Sequence, residues 1–486
     1  MHFIKGEDRG QIQLYSRLDD LVDSRHYIRL IDLFADNYLY EDLISNHKKG
    51  QKDIGRKAYH PSMMIKLYMY CYLNSISSSR KIEKECHRNI EVIWLTGNLK
   101  PDHKTISDFR KSNTELISYA FKRFSGLLKE HNYISGNTIS IDGSKIRANA
   151  GMCISLSSIS NRLEDIEAQL QKYLEEIENA DLLDDDIENA EQKKEKLEQQ
   201  VEELKEEIEK LREQRERLEE EGVKRLSPTD KDCRIMKSRN GLHFCYNLQS
   251  AVDSKHQFIA GTFLSNHETD RRLLIPMVDL LKNQLNIIPK ELLADAGYYR
   301  LMDIEQLEKQ ENINCFVAIN SNQILQQQKK GIDFTYNQKR NVYTCTEGKE
   351  LAPINGIKRD RRRKTEIQAY IGKDCSSCQK KPDCTKSKNR LVYRHVNNQW
   401  RKEYEDKLKS SLAKEKLKQR KALSEHPFGT IKYWMGQIPL KLRGKEKAQS
   451  ETDLYALCYN FRRLLSIENY QTIEKLMKDK ENGKAA

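Results

Sequence analysis

A charged segment with a regular apolar spacing, residues 156–222, most constrains the fold of this chain. Apolar side chains recur in it at alternating four- and three-residue steps over 159–177 and again over 187–211, and the stretch NADLLDDD separates the two runs. This is the spacing of a heptad seam. The break favours two helices folded back on each other, with one long dimerising helix as the alternative. We therefore predict an antiparallel coiled-coil hairpin over 156–222.

The same segment divides the charge of the chain unevenly. The 486 residues include 85 Lys and Arg and 73 Asp and Glu, which gives a net charge of +12. Residues 161–222 hold 24 acidic and 10 basic side chains, a local balance of −14, so the rest of the chain carries +26. A body this basic predicts a polyanionic partner. The acidic flanks of the hairpin are most simply a solvated face.

Two classes of protein are excluded by the apolar content. No run approaches the roughly 20 apolar residues that a membrane-spanning helix needs, and the opening MHFIKGEDRG has no apolar core of a secretion signal. We expect no membrane partner and a cytoplasmic location. The 11 cysteines are spread widely, so free thiols or metal ligands are expected rather than a disulfide framework.

Residues 1–130 have the periodicity of helices. Apolar residues recur at three- and four-residue steps, and one helix is expected to start at Pro61. The stretch 101–131 is expected to be another helix, capped near Thr105 or Ser107. The stretch SSSRKIEKECHRN, with Arg80 and Lys81, indicates a polar break followed by a basic helix. A helical bundle with basic faces is suited to DNA, and an ordinary bundle with solvated lysines is the alternative.

Beyond residue 130 the pattern changes to strands and helices in alternation. NTISIDGSKIRAN and HFCYNLQSAVDSKHQFIAGTFL have the β-branched, alternating texture of strands; a helix, the strand ELLADAG, a second helix and the strand CFVAI follow. This order describes an α/β layer. A basic, cysteine-containing stretch covers about 325–400, and a helical part follows it.

Three acidic residues stand where these patterns would present a carboxylate. Asp142 interrupts the apolar strand ISIDGS, Asp295 ends the strand LLAD, and Glu425 precedes Pro427. Acids at strand ends can converge at one edge of an α/β sheet, and converging carboxylates suit Mg²⁺ or Mn²⁺. Each acid alone also has a structural explanation; Asp295, for example, could cap a helix. Their spacing does not decide whether they meet.

The order of motifs resembles that of the DDE transposases of bacterial insertion sequences, in the group whose glutamate lies in an EHPFG-type motif. The segments that carry the resemblance occur in family order from GEDRGQIQLY to LYALCYNFRRL, and they include IDGSKIRANA, LLADAGYYR and EHPFGTIKYWMG. The resemblance implies an RNase H-like catalytic core in which Asp142, Asp295 and Glu425 match the two aspartates and the glutamate. It also implies Mg²⁺ or Mn²⁺, as two ions, in phosphodiester chemistry.

The resemblance also implies a division of the chain into domains. The interval from Asp142 to Asp295 is 153 residues, and 86 remain when the 67-residue segment 156–222 is removed. The expected fold is therefore multidomain, α plus α/β, with two insertions in the RNase H-like core. The segments are an N-terminal helical DNA-binding domain (1–130), the core (131–155 and 223–325), the inserted hairpin (156–222), a basic Cys-bearing insertion (326–400), and C-terminal core helices with the glutamate (401–486).

Similar enzymes carry basic residues around the glutamate. Lys432, seven positions after Glu425, matches one of them, and Arg420 and Lys421 are both candidates for the upstream one. Because Lys432 lies two helical turns from Glu425, it would share its face and could hold a phosphate. A surface lysine is the alternative.

Four cysteines form a possible zinc site. Cys375, Cys378 and Cys384 have the spacing C-x2-C-x5-C, and Cys345 could complete a tetrahedral set. Structural Zn²⁺ would help to fold an insertion that lacks a core of its own. Only one pair has tight spacing, so buried or free thiols remain the alternative.

The function expected from the resemblance is that of a transposase. It would bind the terminal inverted repeats of its element and cleave and transfer DNA strands, as a nucleoid-associated homodimer in the bacterial cytoplasm. The alternative is a catalytically decayed DNA-binding protein derived from a transposase.

Overall fold

The computed structural model describes residues 17–39, 58–151, 153–180, 187–220, 222–238, 241–319, 334–354, 356, 358–360, 365–373, 375–395, 398–434 and 439–479. The chain divides into two compact units. Unit 1 consists of Met1–Asp270, Pro276–Ile288 and Leu423–Ala486, and unit 2 of Arg271–Ile275 and Pro289–Ala422. Mixed α and β structure, with fifteen α-helices in the described ranges, confirms the expected mixture of helical and α/β parts.

Unit 1 begins with helices, as the periodicity predicted. After a 3-10 turn (Leu18–Leu21) they are α1 (Tyr27–Tyr38), α2 (Pro61–Leu73), α3 (Ser79–Arg88), α4 (Ile90–Leu95), α5 (His103–Ser112) and α6 (Thr114–Glu130). The predicted start at Pro61 is confirmed: it is the first residue of α2, and the His60 side chain accepts a hydrogen bond from the Ser62 N–H at 3.2 Å. Every residue of α2 is buried, so this helix lies inside the unit.

One prediction about these helices was wrong. The single helix predicted over 101–131 is two helices, separated at Asn113, whose φ of −118° and ψ of 44° are not helical. The cap of α5 is Asp102 rather than Thr105 or Ser107, because the Asp102 carboxylate accepts the Thr105 N–H at 2.6 Å. An acceptor three residues ahead of an unpaired N–H has the geometry of an N-cap.

The strands of unit 1 are organised around one long strand. They are β1 (Thr138–Arg147), β2 (Ile154–Ser155), β3 (Arg225–Leu226), β4 (Arg234–Ser238), β5 (Gly241–Asp253) and β6 (Ile259–Ser265). β5 pairs antiparallel with β1, β4 and β6, and in its register with β1 Asp142 stands opposite Ser250. The predicted strands around Asp142 and over 243–264 are thus present.

Two long helices leave this part of the chain between β2 and β3. They are α7 (Leu156–Ala180) and α8 (Ile187–Glu220), and the small β2–β3 pair lies at their base. Ile159 and Leu163 near the start of α7 share an apolar cluster with Leu218 near the end of α8. An early residue of one helix packed with a late residue of the next means that the helices run antiparallel, as the broken apolar spacing predicted.

The C-terminal helix α14 (Lys445–Ile467) forms much of the core of unit 1, and α15 (Tyr470–Lys478) follows it. The Asp453 carboxylate of α14 accepts hydrogen bonds from Ser118 of α6 and Thr262 of β6, both at 2.6 Å. The Asn460 side chain bonds both backbone groups of Ile259, at 2.8 Å. The helix is therefore fixed to the sheet and to the N-terminal helices by buried polar contacts.

Unit 2 contains a parallel strand pair and a second sheet. Its elements, with two helices that continue into unit 1, are α9 (Leu274–Leu285), β7 (Glu291–Ala294), a 3-10 turn (Ala296–Tyr298), α10 (Leu301–Gln310), β8 (Asn314–Val317), β9 (Phe334–Asn337), β10 (Val342–Cys345), β11 (Glu350–Pro353), β12 (Lys358–Asp360), β13 (Thr365–Gly372), α11 (Lys381–Cys384), β14 (Leu391–His395), α12 (Asn398–Lys409) and α13 (Ser411–Trp434).

The basic Cys-bearing stretch forms the second sheet. β7 and β8 pair in parallel, whereas β9 to β14 form a separate antiparallel sheet in the order β12-β13-β11-β10-β9, with β14 on β13. Its small core is Tyr343, Leu351 and Tyr370. In the described part of the chain, no helix is both long and apolar enough to cross a membrane.

Candidate active site

Asp142 lies at the middle of β1, where the strand emerges from the core. Residues 138–141 are buried, and Asp142 is the first that is partly exposed. Its Oδ1 accepts a hydrogen bond from the N–H of the next residue, Gly143, at 2.8 Å. The orientation of this carboxylate therefore depends on the peptide that follows it.

Glu425 lies on α13, in the part of that helix that belongs to unit 1. Leu423 and Ser424 are buried, whereas Glu425 is exposed. Pro427 stands inside the helix; because proline has no N–H, it cannot make the usual bond to the carbonyl of Leu423. The neighbouring His426 Nδ1 lies 2.9 Å from the Tyr459 hydroxyl of α14, which ties the helix to the core.

The helix that carries Glu425 packs over the strand pair that carries Asp142. A small cavity of about 10 Å³ is lined by Pro427 and Phe428 from α13 and by Ile146 and Ser250 from β1 and β5. Ser250 is the cross-strand partner of Asp142. Ile146 points to the same face of β1 as Asp142, since side chains alternate along a strand. Two of the three predicted acids are thus on facing elements of one unit.

Asp295 follows the buried end of β7 in unit 2. Leu292 to Ala294 are buried, and Asp295 is partly exposed. Its Oδ1 accepts the Gly297 N–H at 2.8 Å and so caps the 3-10 turn. The alternative foreseen from sequence, a capping role, is therefore present. The convergence of Asp295 with the other two acids stays a prediction.

A ready-made metal site is not found among the described side chains. There, no group of three or more His, Cys, Asp or Glu side chains is placed so that it could hold a metal ion. The donor chemistry of the three acids does fit a hard cation, because carboxylate oxygens are the ligands that Mg²⁺ and Mn²⁺ prefer.

The basic residues expected beside the glutamate lie on the same helix. Lys421 is exposed and Arg420 is half-buried. Lys421 lies four residues before Glu425 and Lys432 seven residues after it. At 3.6 residues per turn, both lysines fall on the same face of the helix as Glu425, and Arg420 does not. Lys432 belongs to the described helix, but its side chain lies outside the described residues.

Arg80 and Lys81 lie in the first turn of α3, and both are exposed. The helix packs against α5, where Glu83 lies 3.0 Å from the Nδ1 of His103. The polar break and basic helix expected at this place are therefore present.

The sequence pattern missed a polar cluster on the opposite face of β1 and β5. The Asp270 Oδ1 accepts hydrogen bonds from the side-chain amides of Asn247 at 2.7 Å and Gln249 at 2.9 Å. The Lys145 Nζ lies 3.6 Å from the same oxygen. Burial lowers the pKa of Lys145, and Asp270 opposes this change. The sequence signal for this cluster was that Gly143 and Lys145 alternate with Asp142 along β1 and so lie on the other face of the strand.

The four cysteines of the predicted zinc site line one cavity in unit 2. It has a volume of about 30 Å³ and is lined by Cys345, Cys375, Cys378 and Cys384, which leaves room for about one water-sized group. Burial raises the pKa of the Cys384 thiol, and its three neighbours raise it further, while Arg390 lowers it. As placed, the four side chains do not form a metal ligand set.

Comparison with known proteins places transposase domains at both ends of the chain. Residues 16–112 match the family model described as Transposase domain (DUF772), and residues 344–465 match the one described as Transposase DDE domain. The second match contains Glu425, whereas Asp142 and Asp295 lie outside it. No match was found among curated proteins.

One solved structure was also found, the cryo-EM structure of a piggyBac transposase synaptic complex with hairpin DNA. It is 9% identical to this chain, covers 93% of it and 78% of its own length, and has a TM-score of 0.33. A TM-score this low supports no argument about the fold. The chain therefore contains two segments that match transposase domains, one of them a DDE domain, which supports the resemblance to DDE transposases that the sequence predicted.

Proposed function

We propose that this transposase binds the terminal inverted repeats of its own insertion sequence and catalyses DNA cleavage and strand transfer with Asp142, Asp295 and Glu425. The observation that carries the proposal is the packing of the helix that bears Glu425 over the strand pair that bears Asp142. Neighbouring residues of that helix and of those strands line one cavity. The match of the residues around Glu425 to a DDE domain supports it as well.

An RNase H-like core is part of this proposal. Such a core has three antiparallel strands followed by two parallel strands with helices between them. β1, β5 and β6 are antiparallel neighbours, and β7 and β8 are a parallel pair, with α9 and α10 in the expected places along the chain. This order supports the proposed fold, with the α7–α8 hairpin inserted between the first two of these strands.

The three acids have one shared role in the proposed reaction. They would hold two Mg²⁺ or Mn²⁺ ions, which would supply activation of the attacking oxygen and stabilisation of the leaving oxygen. The proposed reaction needs no covalent protein–DNA intermediate. Water attacks the phosphodiester at an element end and releases a 3′ hydroxyl. That hydroxyl then attacks a target strand, and the displaced 3′ oxygen leaves.

The basic residues would bind the phosphates of both DNA substrates. Lys421 and Lys432 share the face of Glu425 and would hold the backbone beside the reacting phosphate, with Arg420 at the edge. Arg80 and Lys81 would contact the terminal repeats from α3. Two ends must be held together, so we expect a homodimer acting on double-stranded DNA at the bacterial nucleoid.

A strand-cleavage assay tests the proposal. On DNA that carries the element's ends, the wild-type protein should cleave with Mg²⁺. Asp142→Asn, Asp295→Asn and Glu425→Gln should each lose about 100-fold or more, because several kcal/mol of transition-state stabilisation are removed. Asp279→Asn, at an exposed position of α9, is the matched control and should retain activity.

The same assay separates the proposal from its alternative. A decayed transposase would bind the ends without cleaving them, so binding by an inactive wild-type protein would favour a DNA-binding role. Full activity in any of the three acid variants would remove that acid from the site.

We also propose structural Zn²⁺ at Cys345, Cys375, Cys378 and Cys384. The shared cavity supports it, although the side chains would have to turn toward a common centre. Metal analysis of the purified protein should find about one zinc per chain, and Cys378→Ser should lower both the zinc content and the thermal stability. A metal-free wild-type protein of equal stability would end this proposal.

A further inference from the structure

The polar cluster behind Asp142 converges on one carboxylate oxygen. The Asp270 Oδ1 accepts hydrogen bonds from two side-chain amides, Asn247 and Gln249, both from fully buried residues. Lys145 places its ammonium 3.6 Å from the same oxygen. Two amide donors and a nearby ammonium group around a single oxygen are better matched by a charged carboxylate than by a neutral acceptor.

This cluster fills the space beside Gly143, the residue after Asp142. Gly143 stands opposite Gln249 in the β1–β5 register. A Cβ added at Gly143 would lie 2.6 Å from both the Asp270 Oδ1 and the Gln249 Nε2, so these atoms occupy the space that any other side chain would need. The N–H of the same Gly143 donates to the Asp142 Oδ1 at 2.8 Å.

The strand pair has other sources of stability. Nine residue pairs join β1 to β5, and the face that carries Ile146 and Leu248 packs in an apolar cluster. Replacing a whole buried ion pair, such as Lys145 and Asp270, by apolar side chains is often neutral for stability, whereas removing one partner alone leaves an uncompensated charge. A cluster of this kind is therefore better explained by the orientation it gives to the Gly143 peptide than by the stability it adds.

We propose that Asp270, acting through Gln249 and Asn247, is a positioning residue for the Asp142 carboxylate. It fixes the Gly143 peptide, and that peptide sets the direction in which Asp142 presents its oxygens. The inference rests on the proposed function, in which Asp142 is a metal ligand. Loss of a group that orients a metal ligand typically lowers metal affinity 10- to 100-fold.

The test measures Mn²⁺ binding to the full chain without DNA, by electron paramagnetic resonance of the free ion. Asp270→Ala should weaken binding about 10-fold or more, and Gln249→Ala should weaken it in the same direction. Asp270→Asn keeps an oxygen that can accept both amides and should stay closer to the wild type. Asp279→Ala, an exposed carboxylate on α9, should match the wild type.

Equal Mn²⁺ affinity in the wild type and a folded Asp270→Ala variant overturns the inference, whether or not the protein cleaves DNA. If Asp270→Ala fails to fold, Gln249→Ala decides in the same way. In the cleavage assay, Asp270→Ala should raise the Mg²⁺ concentration for half-maximal rate, whereas a structural defect would only reduce the active fraction. A wild-type protein that never cleaves, with weakened Mn²⁺ binding in the variants, contradicts the proposed function alone.

Discussion

Asp453 should make the stability of unit 1 depend on pH in a way that one substitution removes. This α14 carboxylate is 5% exposed. It accepts hydrogen bonds from Ser118 and Thr262, each at 2.6 Å, and from Gln449 at 2.7 Å. Burial raises its pKa from 3.8 to about 6, and the three hydrogen bonds only partly oppose this change.

The direction of the effect follows from where the proton is held. Between pH 3.8 and about 6 the folded chain keeps a proton on Asp453 that the unfolded chain loses. The stability contributed by this group is therefore complete below the unfolded pKa and is lost as pH rises through the folded pKa. At about 1.36 kcal/mol per pKa unit, the full loss is about 3 kcal/mol.

Asp453→Asn removes this titration and keeps the shape of the side chain. The wild type loses about 2 kcal/mol of this contribution between about pH 4.5 and about pH 7.5, and the variant does not. The free energy of unfolding of the variant minus that of the wild type should therefore increase by about 2 kcal/mol over this pH range. Urea unfolding followed by circular dichroism at several pH values measures the difference, and Asp279→Asn controls for the lost charge. A difference that is constant with pH, or that falls as pH rises, would refute the reasoning.

Two further predictions concern packing. Ile166 is fully buried in the hairpin, so Ile166→Ala should cost about 2–5 kcal/mol of stability in thermal melts; Leu174→Ala, at a side chain that is 43% exposed, should cost far less, and equal costs would contradict the hairpin core. Gly261→Ala would bring a Cβ to 2.5 Å from the Leu280 Cδ2 and should destabilise unit 1 by about 1–3 kcal/mol. Gly126→Ala has open space in helix α6 and should be neutral or stabilising, so a stabilised Gly261→Ala would count against the β6–α9 packing.

The sequence predicts elements where one periodic signal decides the structure. The apolar spacing of 156–222 predicts the α7–α8 hairpin, because a seam with a break leaves few other ways to bury those side chains. Pro61 predicts the start of α2, since a residue without an N–H is suited to the first turn. The alternating strand around Asp142 is predicted for the same kind of reason.

Buried polar contacts between distant segments are not predictable in this way. Asp270 and Asp453 carry no periodic signal, and apart from Gln449 their hydrogen-bond partners lie 21 to 335 residues away in the chain. The break at Asn113 was missed because apolar steps continue across it, while the cap at Asp102 depends on a local backbone turn. Such positions are fixed by tertiary packing and by the satisfaction of hydrogen bonds.

The central claim is that Asp142, Asp295 and Glu425 form one metal-binding site, and iron-mediated cleavage of the protein tests it most directly. Fe²⁺ loaded in place of Mg²⁺, with ascorbate and peroxide, cuts the backbone close to the bound ion. Mass spectrometry of the fragments should find cuts near all three acids, and excess Mg²⁺ should suppress them. Cuts near only one acid, or cuts that persist unchanged in Asp142→Asn, would contradict the account.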